Sequence, residues 1–119
     1  MYSGHLSQGN TQIILYGDGL GGVSEIQKVP SEVVPFNVLA DTFDAGGVPD
    51  LAVLNIESAQ IRVFTQDSSG AFSEKTVLSG GQDSFSLASS DFNKDGKTDI
   101  VVGTRTSSTS GKLVVYFQQ

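Results

Sequence analysis

Asp91-Phe92-Asn93-Lys94-Asp95-Gly96-Lys97-Thr98-Asp99 runs straight into Ile100-Val101-Val102-Gly103. Side-chain oxygens recur at alternate positions, Asp91, Asn93, Asp95 and Asp99, while Lys97 offers only its main-chain carbonyl. Gly96 permits the sharp turn that folds these groups inward. Hard oxygen donors at this spacing suit Ca2+, which takes a shell of roughly 6–8 oxygens. Three carboxylates within residues 91–99 repel one another unless a cation lies among them. Asp91, Asn93, Asp95, Lys97 and Asp99 are therefore the candidate metal ligands, with Ca2+ as the cofactor. The alternative is a metal-free, solvated Asp/Asn/Gly turn.

Asp91 to Gly96 also fit the opening of an EF-hand loop. The fit ends at the twelfth position, where a bidentate Glu is required and Val102 stands. No helical period precedes Asp91, and Ile100-Val101-Val102 reads as a buried strand. The last acid falls directly before that strand. A calcium loop joining two β-strands fits these flanks.

The chain repeats itself. Val48-Pro-Asp50-Leu-Ala-Val53 aligns with Lys97-Thr-Asp99-Ile-Val-Val102, and Gln12-Ile-Ile-Leu-Tyr16 aligns with Gln60-Ile-Arg-Val-Phe64. Val23-Ser-Glu25 aligns with Phe72-Ser-Glu74, and Leu113-Val-Val-Tyr-Phe117 is a further copy displaced by Thr106–Ser110. The offsets are 48 or 49 residues. A period in the forties built of short β segments points to propeller blades. The central repeat reads as strands over Phe36–Phe43, Asp50–Ile56, Gln60–Thr65 and Ser73–Leu78. The expected order is two strands, then four, then three, with almost no helix.

The stretch from Asp91 to Gly103 resembles the motif of FG-GAP/VCBS repeats, the calcium-loop blades of integrin-α-like β-propellers. The likeness spans about residues 11 to 119. It implies an all-β chain of four-stranded antiparallel blades, about two and a half of them. Residues 1–30 would be a partial blade, 31–81 a full blade with a degenerate calcium loop, and 82–119 a blade with an intact loop but no outer strand. The degenerate copy, Thr42-Phe-Asp44-Ala-Gly46-Gly-Val-Pro-Asp50, keeps only Asp44 and Asp50 of the oxygen set. These two make a second, weaker metal site. Asp41 lies one position out of register.

Closed propellers use about 4–8 blades. A lone two-blade piece leaves open edges and an uncovered blade face. The chain is therefore expected either to belong to a larger propeller or to close as a homo-oligomer by blade-to-blade contact and strand exchange. Three chains would supply about six blades, with residues 23–29 pairing against the sheet of 112–119 in the next chain.

Composition narrows the function. Seven basic against thirteen acidic residues give a net charge of −6. That argues against nucleic acid and anionic membrane, which demand basic patches. No apolar run approaches the roughly 18 residues of a membrane span, and the N-terminus lacks the pattern of a signal peptide. There is no cysteine, and His5 is the sole histidine, expected to be disordered or on the surface. Ser-His or Cys-His chemistry has little to rest on. Gly17-Asp-Gly19-Leu-Gly21-Gly22 matches a dinucleotide fingerprint in letters, but Val23–Val29 reads as a strand, so a hairpin is expected. The Thr/Ser-rich run 104–110 reads as a solvated hairpin loop.

The expected function is a non-enzymatic calcium-binding propeller module for adhesion or binding of a protein or glycan ligand. The family resemblance places such modules outside the cell. An oligomeric propeller would gain avidity for carbohydrate, although the chain lacks tryptophan for stacking on sugars. Tyr16, Tyr116 and Phe64 read as blade core. The alternatives are a structural, self-assembling piece with no ligand and, more weakly, a propeller lyase or hydrolase.

Overall fold

The computed structural model of the chain describes residues 2–5, 11–30, 35–81 and 83–119. The described residues form ten strands in three antiparallel sheets, with no helix. The first sheet holds β1 (Tyr2–His5), β2 (Thr11–Gly17) and β3 (Val23–Pro30) in the order β1-β2-β3. The central sheet holds β4 (Pro35–Asp41), β5 (Asp50–Asn55), β6 (Gln60–Gln66) and β7 (Phe72–Ser79) in chain order. The last holds β8 (Ser84–Ser90), β9 (Asp99–Arg105) and β10 (Gly111–Tyr116). It pairs as β10-β9-β8.

The expected run of two, four and three strands is corrected at its start to three, four and three. The missed strand is β1. Residues 2–5 carry no apolar alternation, and their pairing rests on the backbone ladder with β2. His5, expected to be disordered or on the surface, pairs with Gln12 as the last residue of β1.

The apolar run Leu51-Ala52-Val53-Leu54 explains the stacking. Successive side chains on a strand point to opposite faces, and every residue of β5 is buried. Leu51 and Val53 join Phe64, Ile14 and Val29 in one cluster, against the first sheet. Ala52 and Leu54 join Ile61, Val63, Phe43, Leu87, Ile100 and Val102 in the other, against the last sheet. The central sheet is thus covered on both faces by its neighbours. Asn37 Nδ2 donates to the Phe85 carbonyl at 3.5 Å, and Ser89 Oγ donates to Asp41 Oδ2, tying β4 to β8.

The sheets share one register. Leu51↔Phe64 in the central sheet recurs as Tyr2↔Leu15 in the first, 49 positions earlier at both partners. Asp41↔Asp50 recurs as Ser90↔Asp99, 49 positions later. The offset of 48 expected for Gln12–Tyr16 is therefore one residue short. A slip of one turns every side chain to the other face. Leu15, not Tyr16, is the counterpart of Phe64. Tyr16 faces the central sheet, where its hydroxyl donates to Gln27 Oε1 at 2.9 Å and accepts from Gln66 Nε2 at 3.1 Å. β3 pairs with β2 of its own chain along its full length.

The glycine-rich stretch 17–22 is the β2–β3 hairpin. Asp18 Oδ1 accepts from the Leu20 amide at 2.7 Å and the Gly22 amide at 2.9 Å. Asp67 does the same work in the β6–β7 hairpin, accepting from the Ser69 hydroxyl at 2.6 Å, the Ala71 amide at 3.1 Å and the Ser69 amide at 2.8 Å. The Leu20 and Gly22 amides hold the Asp18 carboxyl below the ordinary aspartate range. The Ser69 hydroxyl, with the Ala71 and Ser69 amides, lowers that of Asp67.

A carboxyl whose folded pKa is lowered stabilises the fold above its unfolded pKa. That contribution fades as pH falls through the folded value. Asp67→Ala should therefore lower Tm modestly at pH 7. The melting curves of variant and parent should converge in strong acid. A constant gap across the acid titration would contradict this.

Candidate metal loop

Residues 91–98 connect β8 to β9 with no helix on either side. The loop is wound by its own acids. Asp91 accepts from the Asp95 amide at 3.0 Å through Oδ1 and from the Gly96 amide at 2.8 Å through Oδ2. Asn93 Oδ1 also accepts from the Asp95 amide, at 3.2 Å, and Asn93 Nδ2 donates to Asp95 Oδ2 at 3.0 Å. Asp95 Oδ1 accepts from the Lys97 amide at 2.9 Å. The backbone needs positive φ at Lys94 (62°) and Gly96 (84°). Only glycine takes that conformation at no steric cost.

The structure brings Asp91, Asn93 and Asp95 together on one exposed turn, with Lys97 at its end. Asp99 is separate from them in role. It is fully buried, and its Oδ2 accepts from the Phe92 amide and its Oδ1 from the Gln118 amide, both at 2.9 Å. One carboxylate thus fastens the start of the loop and the segment after β10 to the start of β9. Among the described residues no three acids or histidines are arranged to hold a metal ion.

The central repeat has the same fastening. Asp50 is fully buried, and it accepts from the Phe43 amide at 2.7 Å and the Gln66 amide at 2.9 Å. Asp44 lies in the loop and accepts from the Gly46 amide at 2.7 Å. Asp44 and Asp50 thus bond to different backbone groups. Asp41 caps Thr42 through Oδ1 at 2.8 Å and bonds Ser89 through Oδ2, rather than joining Asp44.

Sequence reasoning read Asp50 and Asp99 as ligands; the structure adds that each accepts two backbone amides, a role the sequence reading did not include. A signal for it was present. The central loop lost most of its oxygens yet kept an acid directly before its apolar strand.

The donor set of the 91–97 turn is all hard oxygen, which fits a cation such as Ca2+. Each carboxylate oxygen that accepts one amide retains a second lone pair. Among the described residues no salt bridge reaches Asp91 or Asp95. A groove of about 450 Å³ lies between the central and last sheets, lined among others by Phe43, Lys75, Thr98, Tyr116 and Gln118. Tyr116 packs on the inter-sheet core and donates its hydroxyl to the Ser79 carbonyl. The 104–110 run forms the β9–β10 hairpin, closed by the Thr106 amide on the Ser110 carbonyl at 2.9 Å. Arg105 lies 5.6 Å from the centre of the Phe85 ring.

Stacked antiparallel sheets with one shared register, two of them with an acid-pinned loop between their first two strands, define a blade-type repeat protein. The FG-GAP-like repeat family matches residues 43–102, just over half of the chain, including both loops. The chain belongs to that family. No curated protein and no solved structure matches it. No helix among the described residues is long and apolar enough to cross a membrane.

Proposed function

We propose that this chain is a non-catalytic, calcium-binding propeller module that recognises a protein or glycan ligand outside the cell. The observation that carries the reading is the 91–97 turn. It gathers Asp91, Asn93 and Asp95 at the surface, with no salt bridge to Asp91 or Asp95 among the described residues. Asp91, Asn93, Asp95 and the Lys97 carbonyl would hold the ion. Asp99 anchors the end of the turn to the sheet. Bound Ca2+ supplies charge compensation between the acids. The protein's part is to present the turn rigidly beside the inter-sheet groove, where Lys75, Thr98 and Gln118 offer polar contacts near Tyr116. The 42–50 loop, with Asp44 in the turn and Asp50 committed to two amides, is the weaker of the two sites.

Metal bound only by the folded state stabilises it by about 2.7 kcal/mol at a hundredfold excess over Kd. Chelator should lower Tm by several degrees, calorimetric titration should show one strong site per chain, and Asp95→Ala should abolish both effects. Melting curves that coincide with and without chelator would overturn the metal reading. A glycan array addresses the ligand class, and an array with no hits would leave protein ligands as the proposal.

A further inference from the structure

We propose that the cleft between the first and central sheets binds a guanidinium group, carried by an arginine side chain of a partner or by a small free ligand. The cleft is separate from the 91–97 turn and from the groove beside it, and its binding does not rest on the metal reading. It encloses about 330 Å³ and is lined among others by Tyr16, Glu25, Gln27, Gln66, Ser69 and Gly70. Ligand pockets span about 300–1,000 Å³, so this one suits a single head group. No residue that lines it is basic.

The strands place these groups. Ile14 and Tyr16 turn toward the central sheet. Gln27 and Glu25 are their direct partners on β3, so both side chains share that face. Gln66 stands on the other side of the cleft, its own amide held by the buried Asp50 at 2.9 Å. Gly70 belongs to the hairpin braced by Asp67, and its amide donates to the Asp67 carbonyl at 3.0 Å.

Hydrogen bonds within the cleft consume its donors. The Gln66 amide nitrogen donates to the Tyr16 hydroxyl at 3.1 Å and to the Gly70 carbonyl at 3.4 Å. The Tyr16 hydroxyl donates to Gln27 Oε1 at 2.9 Å, and the Gln27 amide nitrogen donates to the Gly70 carbonyl at 2.8 Å. The Ser69 hydroxyl donates to Asp67 Oδ1 at 2.6 Å. What remains is a single hydrogen on Gln27 Nε2 against many open lone pairs. Among the described residues no hydrogen bond or salt bridge reaches the Glu25 carboxylate, and no hydrogen bond reaches Gln66 Oε1.

A ligand that fits must therefore bring donors, and positive charge to meet Glu25. A sugar hydroxyl accepts as well as donates, and the cleft has little to donate in return. A divalent metal needs more charged oxygens than one carboxylate supplies. A guanidinium is planar, carries five N–H donors and accepts nothing. It can pair in two-pronged fashion with Glu25 on β3 and still reach Gln66 on β6. The chain's net charge of −6 favours its approach.

Calorimetric titration in chelator with acetyl-arginine amide should show one site per chain, with Kd of about 1 mM or tighter. The neutral isostere acetyl-citrulline amide should bind at least about tenfold more weakly, because the charge-assisted bonds are lost. Added salt should weaken the arginine compound. Glu25→Gln should weaken it by a like factor at unchanged Tm, since Glu25 is exposed. Should that variant prove unstable, the citrulline comparison on the wild-type chain decides. A peptide with an internal arginine separates the two sources. Tighter binding of the peptide than of the free compound assigns a protein partner, and the reverse order assigns a small ligand. No binding at about 10 mM, equal binding of the arginine and citrulline compounds, or wild-type affinity in a folded Glu25→Gln would overturn the proposal.

Discussion

Asp50→Ala should cost about 1–3 kcal/mol or more, because it leaves the buried Phe43 amide without an acceptor, at about 1–3 kcal/mol for a buried unmet group, and the half-buried Gln66 amide as well. Typical domains hold only about 5–15 kcal/mol in total, so the variant should unfold at far lower denaturant or fail to accumulate. Asp99→Ala should behave alike through the Phe92 and Gln118 amides. Asp44→Ala, at an exposed turn amide, should lie close to wild type. Denaturant midpoints at constant m-value measure all three. The Asp99→Ala penalty should persist in chelator, whereas that of Asp95→Ala should shrink there. A loss below about 1 kcal/mol for Asp50→Ala would sink the pin assignment, since the buried Phe43 amide left unmet cannot cost so little.

Truncating the double-sided core should come next in size. Leu54 and Ile61 are fully buried between the central and last sheets. Leu54→Ala or Ile61→Ala should cost about 2–5 kcal/mol, the lost transfer energy plus the cavity left behind. Leu54 has little room to be replaced by relaxation. A Cβ built at Gly80 would already stand 3.2 Å from its Cδ1 and 3.1 Å from the Ala59 carbonyl. Leu20→Ala is the control, because that side chain is 92% exposed. Equal midpoints for Leu54→Ala and Leu20→Ala would mean that the sheets do not stack as described.

Much of this was legible in the sequence. The continuous run Leu51–Leu54 marked a strand covered on both faces, and β5 is buried along its length. The central strands fall within a residue or two of their expected limits, since Gly, Pro and Asp/Ser clusters mark their ends. β1 was not legible, because residues 2–5 show no apolar alternation in the sequence. The slip between 48 and 49 at Gln12–Tyr16 arose because Ile13, Ile14 and Leu15 are all apolar. Such a run gives no alternation from which to read a face. The amide-binding role of Asp99 was not legible for a chemical reason. A metal ligand and an acceptor for two amides both require an acidic oxygen at that position, and letters do not say which partner it meets.

The buried aspartate at the start of β5 and of β9 changes what the chain can lose. The position of the loop is referenced to the sheet through Asp50 or Asp99, not through the loop's own oxygens. A repeat can therefore lack most of the turn's oxygens and still keep its loop fastened to the sheet. The central loop, with Gly46 where the later repeat has Asp95, is such a case. The oxygens of the exposed turn and the acid that fastens it to the sheet are different residues of the same short segment. Changes at the turn's exposed oxygens and changes at the acid that begins the strand should therefore have separable effects on the chain.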